Sequence, residues 1–457
     1  MTASGAVATD TRSHPPLRKG VVVLYALVPG LILLDLVNGF LKSGASTDAL
    51  SIGQVIRGII TLWAGVTVIR IRSRALRGFQ VWYLGLAALG VIGPLLAVAR
   101  VGREAGFLFD LMTLSKALFG PGLILILVLA FRRHRLALED VLGAIALVGA
   151  IAGASIVVLN ILNLGQATYI WQGVGFKGYF ISQNEVGLTM GLSLFASLEL
   201  LLLEPRPRYF VAAVLTVVGM VLLGTRAASL GAILIPVAVL AVNLRSLMRG
   251  RSGPGIGWLV LLFGMLTMSG VWEYSKIGEQ RFLQSKFVAL TESKVILVRG
   301  VLLFSALRYV AHRDLTWSVV GEGPTAYERG VARTMGLPVD LKAAEVDWLD
   351  FFGSFGLLFT ISIYGFYVGF VRRVRTLRDQ YARSVYLVTL MMLGWFLAHG
   401  VVAGHAVGST MPTSALAPIL AYAWVLAERQ RSSEFSTLGG TPAETVASNP
   451  PGNREPH

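Results

Sequence analysis

The sequence predicts an all-α, polytopic integral membrane protein with about twelve transmembrane helices and one large loop outside the membrane. Three observations carry this. The chain is 54% hydrophobic and only 14% charged, whereas soluble domains carry about a quarter of their residues as Asp, Glu, Lys and Arg; its mean hydropathy is +0.68. Apolar runs of about 18 or more residues recur along the chain, each sufficient to cross roughly 30 Å of hydrocarbon. The basic residues, finally, collect in alternate loops.

In chain order, residues 1–19 are polar and end in Arg18 and Lys19. The first apolar run, Gly20 to Leu41, exceeds the roughly 7–15 residues of a signal-peptide core and reads as a retained first helix. Further spans fall near 52–69, 79–98, 106–130, 140–163, 185–203, 208–224, 227–243 and 257–275, completing a membrane block over 20–275. A loop over 276–347 interrupts the pattern, and spans near 348–371, 384–403 and 412–428 form a second block over 348–428. The tail, 429–457, is rich in Ser, Thr, Pro, Gly and Asn from Ser432 onward, a composition of disordered chain.

With a cytoplasmic N-terminus, the inner loops hold seventeen arginines, grouped at 70–77, 132–135, 206–208, 245–251 and 372–383. The short outer loops hold five basic residues: Lys42, Arg100, Arg103, Lys177 and Arg226. This bias places both termini in the cytoplasm. The net charge of +15 then reports topology and anionic lipid at the inner face, and no nucleic-acid partner is expected. There is no cysteine, which excludes disulfides, thiolate metal sites and cysteine nucleophiles.

The long loop carries ten Lys and Arg against eight carboxylates. A helix with an apolar face is expected near Lys286 to His312, followed by the Gly- and Pro-containing turns GEGPTAYERG and GLPVD. Arg226, in LLGTRAASLGA, lies in a short outer turn, where an anion has both the guanidinium and the donors of the next helix start within reach; a snorkelling or capping arginine fits equally. Arg57 lies a turn or two inside the outer face and is a candidate for the same anion site. Asp110 and Lys116, six apart, do not share a helix face and read as structural. His399 and His405 read as packing residues. Glu345, Asp347 and Asp350 are the densest carboxylate cluster, where the loop returns to the membrane as a helix. They suit helix capping, a general base or oxygen ligation of a divalent metal, and their spacing does not choose among these.

Three segments, GTRAASLGAIL, ESKVILVRGVLLFSALRYV with WSVVGEGPTAYERG, and EVDWLDFFGSFGLL, resemble in order the motifs of the bacterial O-antigen ligase and polymerase superfamily (WaaL/Wzy type). FISQNEVGLTMGL is similar to the family's Asn-containing helix start. The likeness spans roughly residues 176–370, the earlier helices adding topology. It implies a GT-C-like, metal-independent inverting glycosyltransferase of the bacterial inner membrane that needs no cofactor. The implied partners are an undecaprenyl-pyrophosphate-linked glycan donor and a glycan acceptor in the lipid bilayer, with room for a chain-length regulator. By the same likeness Arg226 and Arg299 grip the pyrophosphate, which a guanidinium fork suits. The family's ligases carry a His-Asn pair about eleven residues before the Gly of the returning helix; counting back from Gly356 lands on Glu345. Glu345 then stands in for the histidine as the base, oriented by Asp347 and Asp350, and the departure favours a polymerase over a ligase. A transporter is the remaining class; it would show internal repeats with helices broken at midplane, and no convincing repeat relates the two halves.

Overall fold

The computed structural model describes residues 19–43, 52–101, 106–134, 136–169, 174–248, 257, 294–336, 346–377 and 383–438. Among these, ten helices are long and apolar enough to cross a membrane. The first block comprises α1 (Lys19–Ser43), α2 (Ile52–Arg70), α3 (Arg77–Val101), α4 (Phe107–Arg133), α5 (Leu138–Ile161), α6 (Gln183–Leu203), α7 (Pro207–Leu223) and α8 (Arg226–Met248). The loop contributes α9 (Lys294–Ala311), α10 (Leu315–Val320) and α11 (Pro324–Thr334), and the second block α12 (Asp347–Val374), α13 (Arg383–Val402) and α14 (Thr410–Leu438). Every apolar run within the described residues is helical, because hydrocarbon offers no partner for an unpaired N–H or C=O. Apart from Gly257, the expected span over 257–275 lies outside the described residues.

Burial separates centre from periphery. In α4, α6 and α14 the most apolar stretch is 78%, 89% and 89% buried, against 22% in α2 and 33% in α3 and α8. The central three therefore form the axis around which the others pack. Large apolar side chains such as Leu62, Ile69 and Val81 point outward, which in water would be a liability and in lipid is the ordinary condition. The two blocks are tied by Trp395 of α13, which lies against Gly191 of α6 and Gly231 of α8; a Cβ on either glycine would fall within 3 Å of the indole.

Between α5 and α6 the chain forms an antiparallel hairpin, β1 (Gln166–Tyr169) and β2 (Val174–Gly178), where the sequence suggested only a short loop. It covers the α7–α8 turn. The Thr168 hydroxyl donates to the carbonyl of Leu223 at 2.7 Å.

Two segments differ from expectation. The stretch read as Gly/Pro turns contains the regular helix α11, with Pro324 at its first position, where a fixed φ and a missing N–H cost nothing. The cap that starts it comes from the membrane block. Asp110 Oδ1 of α4 accepts both the N–H and the hydroxyl of Thr325 at 2.7 Å, an N-cap supplied from another helix and so invisible in the local sequence. Asp110 thus takes the structural role expected for it. At the other end, α14 continues to Leu438, ten residues into the tail read as disordered. Arg132 holds this extension through a bidentate pair with Glu428, 2.7 Å at the shorter bonds. Residues 439–457 lie outside the described residues, as does GLPVD beyond Gly336.

Replacing Asp110 by Ala removes the cap, a loss of about 1–2 kcal/mol. The amide of Thr325 is expected to exchange its hydrogen about tenfold faster or more, with the α4 amides unchanged. Equal exchange in both proteins would refute the capping role.

Candidate site at the returning helix

The helix that returns from the loop is broken. Gly356 has φ 80° and ψ 175° inside α12, a region of backbone space essentially closed to residues with a Cβ. The break leaves the last carbonyls of the 347–355 segment without intrahelical donors. Two groups from the loop supply them. Arg313, between α9 and α10, donates Nη2 to the carbonyl of Phe352 and Nη1 to that of Gly353, both at 2.8 Å. The N–H of Gly323 donates to the carbonyl of Ser354, also at 2.8 Å.

The Gly-x-Gly turn fits against this break as backbone on backbone. Gly321 has φ 76° and ψ 170°, and a Cβ on it would strike Ser354 and Phe355, just as one on Gly356 would strike Val319 and Gly321. The Gly-x-Gly turn and the returning-helix motif are therefore the two halves of one contact. Gly93 of α3 completes the seat: a Cβ there would come within 2.8 Å of the carbonyls of Val320 and Gly321.

Arg313 is itself buried, with 4% of its side chain exposed. Burial pulls its guanidinium down from its ordinary value, and Glu322, 3.8 Å from Nη1, opposes the shift. Arginine does not lose its proton in proteins, so the cation needs both that carboxylate and the negative end of the broken helix segment. Tyr309 donates its hydroxyl to Glu322 at 2.9 Å. Burial raises the phenols of Tyr309 and Tyr327 well above their ordinary values, so both are neutral hydrogen-bonding groups. A small apolar core of Ala306, Val310, Tyr327, Val331 and Leu349 underlies the cluster and joins α9, α11 and α12.

Asp347 and Asp350 share this helix start yet serve different partners. Asp347 reaches the turn between α13 and α14, accepting the N–H groups of His405, Ala406 and Val407 at 2.6, 2.7 and 2.8 Å. Three of about four lone-pair positions on the carboxylate are thereby used. His405 stands at φ 61°, a left-handed conformation that costs a non-glycine residue about 1–2 kcal/mol, and Asp347 holds it there. Asp350 accepts the N–H of Val346 at 3.2 Å, capping its own helix, and faces the hydroxyl of Tyr327. Among the described residues no three His, Asp or Glu side chains converge.

The cationic candidates lie in the first two turns of α8, α2 and α9. Arg226 opens α8 and is exposed, directly after Thr225, whose hydroxyl caps the N–H of Ala228 at 3.2 Å. A cation in a first helical turn opposes the helix dipole, and a bound anion would offset that cost. Arg57 forms an ion pair with Asp35 of α1; the sequence reading overlooked Asp35, which is one helix away and sits alone in an apolar run. Arg299 lies in α9, and its side chain is outside the described residues, as is Glu345. Sequence reasoning also counted Arg313, Glu322, Arg329 and Arg333 only as loop charge. The i, i+4 spacing of Arg329 and Arg333 on α11 was the available signal; for Arg313 there was none, since its partners are carbonyl oxygens. Chemically, then, the start of α12 is rigidly held, and the exposed Arg226 at the start of α8 is suited to receiving an anionic group.

Residues 24–280 match a family model described as O-antigen ligase like membrane protein. The match takes in Arg57, Arg226 and two of the segments that carried the likeness, FISQNEVGLTMGL and GTRAASLGAIL, and ends before the loop helices and α12. No curated protein and no solved structure matches the chain.

Removing the guanidinium in Arg313→Gln leaves Glu322 buried without its cation, a loss of about 3–5 kcal/mol, to be read as a lowered melting temperature in detergent. His405→Gly relieves the strained φ while keeping the N–H that Asp347 accepts. Its melting temperature should equal or exceed that of the unsubstituted protein, whereas a lower one would show that the imidazole itself holds the turn.

Proposed function

The chain belongs to the O-antigen ligase like membrane proteins, and from that premise we propose that it is a glycosyltransferase polymerising undecaprenyl-pyrophosphate-linked oligosaccharide repeat units. The acceptor hydroxyl attacks the anomeric carbon of the donor sugar, the bond from that carbon to the pyrophosphate oxygen breaks, and the lipid pyrophosphate leaves with inversion. The hydroxyl proton passes to Glu345. Arg226 and Arg299 bind the pyrophosphate and, by neutralising the charge that builds on it, lower the barrier most. Arg329 and Arg333, one turn apart on α11, are further candidates for the anionic donor. Asp347 and Asp350, rather than meeting the acceptor, fix the helix start from which Glu345 is presented. The active face is the periplasmic one, in an inner membrane with both termini cytoplasmic. The observation that carries this reading is Arg226, an exposed guanidinium in the first turn of α8, in a chain whose family match includes it.

The family's description favours a second reading, transfer of the finished glycan to lipid A-core or another surface acceptor. A reconstituted assay separates the two. Purified protein with lipid-pyrophosphate-linked repeat units alone should yield a ladder of products on a gel. Product formed only after addition of lipid A-core would make the protein a ligase.

In the same assay Arg226→Ala and Arg299→Ala should each abolish long products while the protein still reaches the membrane. Full-length ladders from both variants would remove the pyrophosphate role. Glu345→Gln should lose turnover with donor binding retained, and rescue of activity by neither donor nor acceptor excess would separate a lost base from weakened binding.

A further inference from the structure

At the opposite, arginine-rich end of the bundle, α3, α12 and α14 meet through aromatic side chains and leave an outward-open groove of about 510 Å³ beside them, with no residue of the loop cluster in its lining. Its floor is aromatic: Trp82 stacks on Phe366 with centroids 4.4 Å apart, and Phe79 meets Phe366 and Trp424 at 5.8 and 5.7 Å. Its walls are missing where side chains would stand. At Gly78, Gly365 and Gly369 nothing lies within 4 Å of the position a Cβ would take, and all three glycines are exposed. From Ile361 to Arg373 the helix lining the cavity rises about 18 Å, close to half of a hydrocarbon core of roughly 30 Å. The groove therefore runs the depth of one leaflet.

The end of the groove is charged. Arg373 lies over the Trp424 ring, 3.7 Å from its centroid, and Glu428, Arg431 and Arg132 all act on it electrostatically. These four groups carry three positive charges and one negative. We propose that this groove binds one anionic phospholipid of that leaflet, its acyl chain along the glycines and aromatic rings and its phosphate against the arginine cluster. The spacing of Gly365 and Gly369 would also suit a close helix crossing with a second copy. A two-fold pair, however, brings the same patch of each copy together and would set one arginine cluster against the other. The charge therefore favours the lipid.

The test uses full-length protein, delipidated in detergent and mixed with phosphatidylglycerol or with phosphatidylcholine of identical chains, read by native mass spectrometry and by thermal unfolding. One phosphatidylglycerol should be retained about tenfold better than phosphatidylcholine and should raise the melting temperature. Gly369→Leu, which fills the groove, and Arg373→Gln should each cut retention about tenfold. Gly58→Leu, at an equally open position on α2 outside the groove, should leave it unchanged. Equal retention of the two lipids, or retention untouched by Gly369→Leu, would overturn the proposal, as would a lipid-free dimer that Gly369→Leu dissociates. Should that variant fail to fold, Gly365→Leu and the comparison of the two lipids on the unsubstituted protein decide the matter.

Discussion

A helix broken at the membrane edge must find donors for the carbonyls the break exposes, and the organisation of this protein's loop follows from that need. Gly356 makes the break possible, because only a residue without a Cβ takes its backbone angles there. Arg313 and Gly323 then supply the donors. Since both come from the loop, the loop cannot drift from the bundle without leaving buried carbonyls unsatisfied, at about 1–3 kcal/mol for each. The guanidinium has a second effect. As a buried cation it requires Glu322, and Glu322 in turn takes the hydroxyl of Tyr309, so one unsatisfied helix end organises three loop elements.

The carboxylates at the start of α12 extend the same logic to the second block. Asp347 fastens the turn between α13 and α14 by three backbone N–H groups, while Asp110 fastens α11 to α4. Loop, returning helix and last two helices are thus fixed to one another by acids and one arginine acting on backbone groups. Such bonds depend on the course of the main chain more than on the identity of the partner residues. A site built this way is held rigidly while the side chains around it remain able to vary.

The candidate site and the aromatic groove lie at opposite ends of the bundle. The end bearing Arg226, the hairpin and the broken helix carries the groups that suit an anionic substrate. The other end carries the arginine clusters and the aromatic groove between α3, α12 and α14. The helix α12 belongs to both: its first turns hold the Gly356 break and its last turns line the groove.

The helices themselves were legible in the sequence, because a chain in hydrocarbon must satisfy its backbone internally and so needs long apolar runs, which composition alone reveals. The arginine bias likewise requires no contact to be read. The Gly-x-Gly turn and the returning helix were also visible as motifs. Only the tertiary structure decided what they and the acidic residues meet. Asp347, which the sequence left open between cap, base and metal ligand, holds residues 405–407, and Asp110, an isolated intramembrane charge in sequence, caps a helix 215 positions away. Arg57 suggested an anion site and is paired with Asp35. In each case the partner is a backbone group or a residue on a distant helix. Backbone N–H and C=O groups are the same at every position, so the sequence carries no mark of which of them a side chain will meet.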